Sequence, residues 1–122
     1  MLKLTAAFAA LALLAGSPAF AQMAPAGVKT TPDGLNDSHD MPLYTFARDT
    51  TPGKSACNGP CLAAWPALMA TATDKDMGDW TVITRDDGSK QWAYKGQPLY
   101  TYARDTAGQP ATGVSANWPR AK

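Results

Sequence analysis

Two cysteines, Cys57 and Cys61, are the only thiols in the chain and are separated by Asn-Gly-Pro. In an oxidising compartment, thiols this close on a turn-forming spacer are expected to form a disulfide. The alternative is copper binding or thiol-disulfide exchange, with His39 or a methionine completing a ligand set. Against it, the C-x-x-x-C spacing differs from the C-x-x-C of thioredoxin-like enzymes, and no βαβ pattern surrounds it. We therefore expect a structural bridge.

An eight-residue motif occurs twice, as Leu-Tyr-Thr-Phe-Ala-Arg-Asp-Thr at residues 43–50 and as Leu-Tyr-Thr-Tyr-Ala-Arg-Asp-Thr at residues 99–106. The copies agree at seven of eight positions and indicate two related half-domains. Their side chains could form an exposed face for a glycan, haem or quinone-like ligand. We favour the interpretation that the motif side chains lie in the core, because alternate aromatic residues usually pack between strands and an aspartate at the end of a strand usually caps a turn. The candidate face comprises Tyr44, Phe46, Arg48, Asp49, Tyr100, Tyr102, Arg104 and Asp105.

The sequence does not match other catalytic or metal-binding patterns. His39 is the only histidine, so a site with two imidazoles is excluded, as is a Ser-His hydrolase built around any other histidine. The acidic stretch from Asp74 to Asp79 superficially resembles a calcium loop, but Arg85 stands where the bidentate glutamate is required. We therefore predict no catalytic residue, no metal and no cofactor, and no enzymatic activity.

The N-terminal segment predicts export. An apolar run at residues 4–15 follows Lys3, and Gly-Ser-Pro-Ala-Phe-Ala at residues 16–21 ends in the pattern that signal peptidase recognises. The run is too short for a transmembrane helix, and we expect no other membrane span. Residues 1–21 are therefore predicted to be a signal peptide cleaved near Ala21-Gln22, which places the mature protein in the periplasm or outside the cell.

The composition of the mature chain argues against a nucleic-acid partner. Without Lys3, ten basic side chains face ten aspartates, so the formal charge is zero and no basic footprint is present. The absence of glutamate, together with ten glycines and ten prolines, favours turns and short extended segments over long helices. About a hundred mature residues are enough for one domain.

The elements that must position the motif are mostly short strands. Tyr44, Phe46 and Arg48 would share one face of a strand over residues 42–48, and a second such strand spans residues 99–104. The Asp-Gly step within residues 85–90 predicts a β-hairpin. We therefore expect an all-β fold with one short helix, a small antiparallel sheet or meander built from two pseudo-repeats. The predicted segments are a flexible leader at 22–32, a domain at 33–122, half-repeats at about 33–70 and 80–122, a turn and short helix at 57–66, and hairpin strands at 80–84 and 91–94.

Both motif copies match Y-x-[FWY]-x-x-D, and Cys-x-Gly-x-Cys at residues 57–61 and Trp65-Pro66 follow the first. With these features the chain resembles the bacterial secreted-repeat family, described as predicted lipoproteins of unknown function. The resemblance implies an extracytoplasmic location and no established enzymatic role. Two features depart from it: Gln22 stands where lipidation requires a cysteine, and Pro119 follows Trp118 where family members often have histidine. A ligand role resting on that histidine is not carried over.

These observations favour a non-catalytic periplasmic or secreted module that binds an unknown envelope component or protein. The alternative is a small periplasmic copper-handling or thiol redox protein that uses Cys57 and Cys61. The sequence does not indicate an oligomeric state.

Overall fold

A computed structural model describes residues 24–122 of the chain. The predicted signal peptide and its cleavage site lie outside these residues. The all-β prediction is confirmed, and the one short helix follows the first cysteine as expected. The elements are β1 (Lys29–Thr31), β2 (Gly34–Asn36), α1 (Cys61–Ala64), β3 (Met69–Ala70), β4 (Trp80–Thr84), β5 (Lys90–Tyr94) and β6 (Gln97–Pro98).

The predicted hairpin is the longest regular unit of the fold. Strands β4 and β5 pair antiparallel over all five residues, and the turn between them has Gly88 in the left-handed region, with φ of 88°. Asp87 accepts a hydrogen bond from the backbone N–H of Ser89 at 2.9 Å, which stabilises that turn. Strands β3 and β6 both pair with β5, along the edge that β4 leaves free. Strands β1 and β2 form a separate two-stranded sheet.

The two motif segments are extended but are not the strands that the sequence predicted. Tyr44 and Tyr100 form an isolated antiparallel bridge with each other, and each forms one further bridge, with Arg120 and Ala67 respectively. Regular pairing does not continue, because each segment turns at its aspartate, where Asp49 and Asp105 donate their backbone N–H groups three residues back.

The two halves exchange their backbone partners. After the Tyr44 to Tyr100 bridge, Thr45 N–H donates to the carbonyl of Pro119, and Thr101 N–H donates to that of Pro66. Each motif therefore pairs with the Trp-Pro segment of the other half. The two half-repeats consequently interlock through reciprocal contacts of equivalent residues.

Side chains from the motif reach two separate cores, as the predicted alternation requires. Leu43 and Leu99 lie in one cluster with Trp80 and Trp92, whereas the next residues along the chain, the tyrosines, lie in the other. Both faces of the motif segments are thus covered, which accounts for the complete burial of its leucines and first tyrosines.

Residues that precede the predicted domain boundary at residue 33 also pair and pack. Strand β1 lies inside the stretch predicted to be a leader, pairs with β2, and is preceded by Val28, which packs against the core. Ala24 packs against the same core, and the high alanine and proline content of this segment gave no indication of these contacts. Within residues 24–122, no helix combines the length and apolar character needed to cross a membrane.

Candidate functional site: the duplicated motif

Tyr44 and Tyr100, the first tyrosine of each copy and here called the motif tyrosines, each donate a hydrogen bond to the aspartate of the other motif. The hydroxyl of Tyr44 lies 2.6 Å from Oδ2 of Asp105, and the hydroxyl of Tyr100 lies 2.6 Å from Oδ2 of Asp49. The pairs join residues 61 and 51 positions apart, so no local sequence spacing could reveal them. Each aspartate therefore accepts a hydrogen bond from the tyrosine hydroxyl of the other motif.

The second oxygen of each aspartate closes a surface loop. Oδ1 of Asp49 accepts the backbone N–H of Ala56 at 2.6 Å, and Oδ1 of Asp105 accepts that of Thr112 at 2.8 Å. Residues 50–54 and 106–110, which lie between these ends, are all exposed. Both oxygens of each carboxylate are therefore engaged in holding the halves together and anchoring a loop.

Burial and the paired carboxylates raise the pKa of both tyrosines. Desolvation, followed by the hydrogen bond to Asp105, raises the pKa of Tyr44 to about 12. Desolvation and the hydrogen bond to Asp49 likewise raise the pKa of Tyr100 to about 12. A phenolate at either position would face a carboxylate, so the neutral phenol is the form that fits.

Four aromatic rings from the two halves form a continuous stack over these pairs. Trp65 and Trp118 lie parallel at its centre, with ring centroids 3.9 Å apart and an interplanar angle of 4°. Phe46 stacks on Trp118 at 4.1 Å, and Tyr102 stacks on Trp65 at 4.4 Å. The equivalent residues of the two halves thus occupy equivalent places in what we call the ring stack, which consists of Phe46, Trp118, Trp65 and Tyr102.

The ring stack covers the two motif tyrosines. Tyr44 meets Trp65 edge-on at 5.0 Å, and Tyr100 meets Trp118 edge-on at 5.1 Å. Both tyrosines are fully buried, whereas Phe46 and Tyr102 are only partly covered. Tyr44 and Tyr100 therefore do not belong to an exposed aromatic face, because the tryptophan of its own half covers each of them.

The motif arginines are placed differently from the other motif side chains. Arg48 and Arg104 are exposed, and in the part of the chain that the structure describes neither forms an ion pair. They stand just before the anchoring aspartates, at the start of the two exposed loops. The structure therefore puts the motif's free positive charge on the surface.

The cysteines form the predicted disulfide, with a sulfur to sulfur distance of 2.01 Å. Cys57 is fully buried, and its carbonyl accepts a hydrogen bond from the guanidinium of Arg85. His39 is exposed in the turn that follows β2. Across residues 24–122, no three His, Cys, Asp or Glu side chains are grouped as metal ligands.

Arg85 is a buried residue that the sequence analysis did not identify. It is 3% exposed and donates to Oγ of Ser55 at 2.8 Å and to Oε1 of Gln91 at 2.7 Å. Ser55 in turn hydrogen-bonds the hydroxyl of Tyr100 at 2.6 Å. Because Arg85 begins an Asp-Asp-Gly turn, its local sequence indicates a solvated side chain and carries no signal of this network.

A family model described as a secreted repeat of unknown function matches the chain twice, at residues 27–69 and 81–122. The chain belongs to this secreted-repeat family. Each match contains one copy of the motif and one Trp-Pro pair, so the two family repeats are the two interlocked halves. No curated protein and no solved structure matches the chain.

Proposed function

We propose that this secreted-repeat protein is a non-catalytic extracytoplasmic module that binds an envelope component through its two exposed motif loops, residues 50–54 and 106–110. The observation that carries this proposal is the engagement of both oxygens of Asp49 and of Asp105. Because both oxygens of each carboxylate already accept hydrogen bonds within the protein, neither carboxylate is free to bind a substrate. The side chains left free for recognition are those of the loops.

The surface beside the first loop has the chemistry of a polar contact site. A depression of about 230 Å³ is lined by residues that include Arg48, Thr50, Lys54 and Asp86. Cavities that enclose small substrates usually measure about 300–1,000 Å³, so this depression fits a contact with a larger partner better than an enclosed substrate. Loops presented by a rigid scaffold are common binding elements.

The test is binding of the purified mature protein to isolated envelope fractions, measured by co-sedimentation. We expect the wild-type protein to sediment with the envelope fraction. This retention should be lost when Arg48, Thr50 and Lys54 are replaced together by alanine, and also when Thr106 and Gln109 are replaced together by alanine. The control is Lys75→Ala, which changes an exposed residue in a loop outside the motif. The melting temperature of each variant is measured alongside, so that unfolding is not mistaken for lost binding.

The outcomes separate this proposal from its alternative. No retention of the wild-type protein, or equal retention of all loop variants, would overturn the proposed binding mode. Consumption of an envelope component with turnover would overturn the non-catalytic role. Copper uptake by the reduced protein, abolished in Cys57→Ser, would favour the copper-handling alternative instead.

A further inference from the structure

The ring stack and the buried tyrosines also form an arrangement suited to one-electron chemistry. Trp65 contacts three aromatic rings: Trp118 and Tyr102 are stacked on it, and Tyr44 meets it edge-on. The ring centroids are 3.9–5.0 Å apart, and this closeness favours rapid transfer of an electron between the rings. We propose that Trp65 passes an oxidising equivalent directly to Tyr44, where Asp105 accepts the phenolic proton.

Tyr44 has what a phenol needs to give up an electron inside a protein. Oxidation of a phenol makes its proton strongly acidic, so a base must lie within hydrogen-bond distance of the hydroxyl. Oδ2 of Asp105 lies 2.6 Å away, and the backbone N–H of Gly113 donates to the same hydroxyl oxygen at 3.0 Å. The proton therefore has an acceptor, and the oxygen keeps a donor after the proton has left.

Trp65 is the natural point of entry. Among the four tryptophans of the chain, Trp80, Trp92 and Trp118 are buried, at 2%, 4% and 8% exposure, and Trp65 is the one that is only partly covered. An oxidant in the solvent therefore contacts the indole of Trp65 before it contacts the buried indoles. Tyr102 also contacts Trp65, but across residues 24–122 no carboxylate accepts a hydrogen bond from its hydroxyl, so its oxidation must release a proton to water.

In the proposed step one electron leaves the protein and one proton moves within it. A one-electron oxidant takes one electron from the indole of Trp65 and is reduced by one electron. The indole radical cation then takes one electron from Tyr44, while the phenolic proton moves to Oδ2 of Asp105. The products are neutral Trp65, a neutral phenoxyl radical at Tyr44 and a protonated Asp105. The same relation holds for Trp118, Tyr100 and Asp49, so the fold contains two such sites.

The experiment is pulse radiolysis of the purified protein with azidyl radical as the one-electron oxidant. We expect the indole radical cation to decay into a phenoxyl radical at a rate independent of protein concentration. Replacing both buried tyrosines, as Tyr44→Phe with Tyr100→Phe, should slow this conversion at least about tenfold. Asp105→Asn with Asp49→Asn should do the same, because a neutral amide is too weak a base to take up the proton.

The chain supplies a matched control in Tyr102→Phe. Phe46 occupies the equivalent place in the other half, so phenylalanine is compatible with that end of the ring stack. This variant and Tyr94→Phe should keep the wild-type rate. Loss of the conversion in Tyr102→Phe, or an unchanged rate in the buried-tyrosine variants, would overturn the proposal. If those variants do not fold, the wild-type rate in heavy water decides, since an absent isotope effect excludes coupled proton transfer to Asp105.

Discussion

At the scale of single residues, tyrosine and aspartate act as pairs that bridge the two motif copies. Tyr44 and Tyr100 are fully buried, and each has one hydroxyl to satisfy. An unsatisfied buried hydroxyl or carboxylate costs free energy, so each pair is stabilising only while both members are present. This mutual dependence explains why the motif contains both residue types.

Alkaline pH should destabilise the fold through these two phenols. Below pH 10 each tyrosine is protonated in both the folded and the unfolded chain. As the pH rises from 10 towards 12, the unfolded chain loses these protons while the folded chain retains them, so the free energy of unfolding falls. Urea unfolding at several pH values should show this loss, and it should be smaller in Tyr44→Phe. A pH-independent stability across that range would contradict the buried neutral phenols.

Arg85 provides a second prediction for a single side chain. Its guanidinium satisfies Ser55, Gln91 and the carbonyl of Cys57. Arg85→Met should lower the free energy of unfolding by about 3 kcal/mol, because these buried acceptors lose a charged donor. Arg48→Met, at an exposed arginine, should change it by less than about 0.5 kcal/mol. Equal effects in urea unfolding would show that the Arg85 network is not stabilising.

At the scale of elements, the parts predicted from the sequence are those set by local chemistry. The Asp-Gly step and flanking β-formers specify the β4 to β5 hairpin, and the Asn-Gly-Pro spacer brings the two cysteines together. The motif segments follow a different rule, since their partners come from the other half. Strand propensity alone could not show that their pairing would stop after single bridges. The Trp-Pro pair in each half was visible in the sequence, but the stacking of its tryptophan on that of the other half was not.

The disulfide closes a small loop and should contribute modestly. For residues four positions apart, the loop-entropy relation gives about 2 kcal/mol. Cys57→Ser with Cys61→Ser should therefore lower the free energy of unfolding by roughly that amount while the protein remains folded. Differential scanning calorimetry provides the measurement. Complete unfolding of this variant would show that the bridge is required for the fold instead of reinforcing it.

At the scale of the whole molecule, neither half contains a complete core. Each motif takes its backbone partner, its tyrosine acceptor and the tryptophan that stacks on its second aromatic ring from the other half. One cooperative unfolding transition is the expected consequence. The duplication thus produces a single scaffold that presents two loops, and this arrangement underlies the proposed binding role.

Separated halves should be unfolded alone and fold together. A division after Lys75 keeps Asp76 with Val82, whose backbone N–H it accepts at 2.8 Å. Peptides 22–75 and 76–122 should each lack near-ultraviolet circular dichroism from ordered aromatic rings. Mixing them should restore that signal, because the ring stack needs both. A cooperative thermal transition in either peptide alone would contradict the interlocked core.

The central claim is that the motif tyrosine pairs with the aspartate of the other copy, and a double-mutant cycle tests it most directly. Urea unfolding of Tyr44→Phe, Asp105→Asn and the double variant should give a coupling energy of about 1–2 kcal/mol. The parallel cycle of Tyr44→Phe with Asp49→Asn, the aspartate of its own motif, should give less than about 0.5 kcal/mol. Coupling to Asp49 that equals or exceeds coupling to Asp105 would contradict the exchange between the halves.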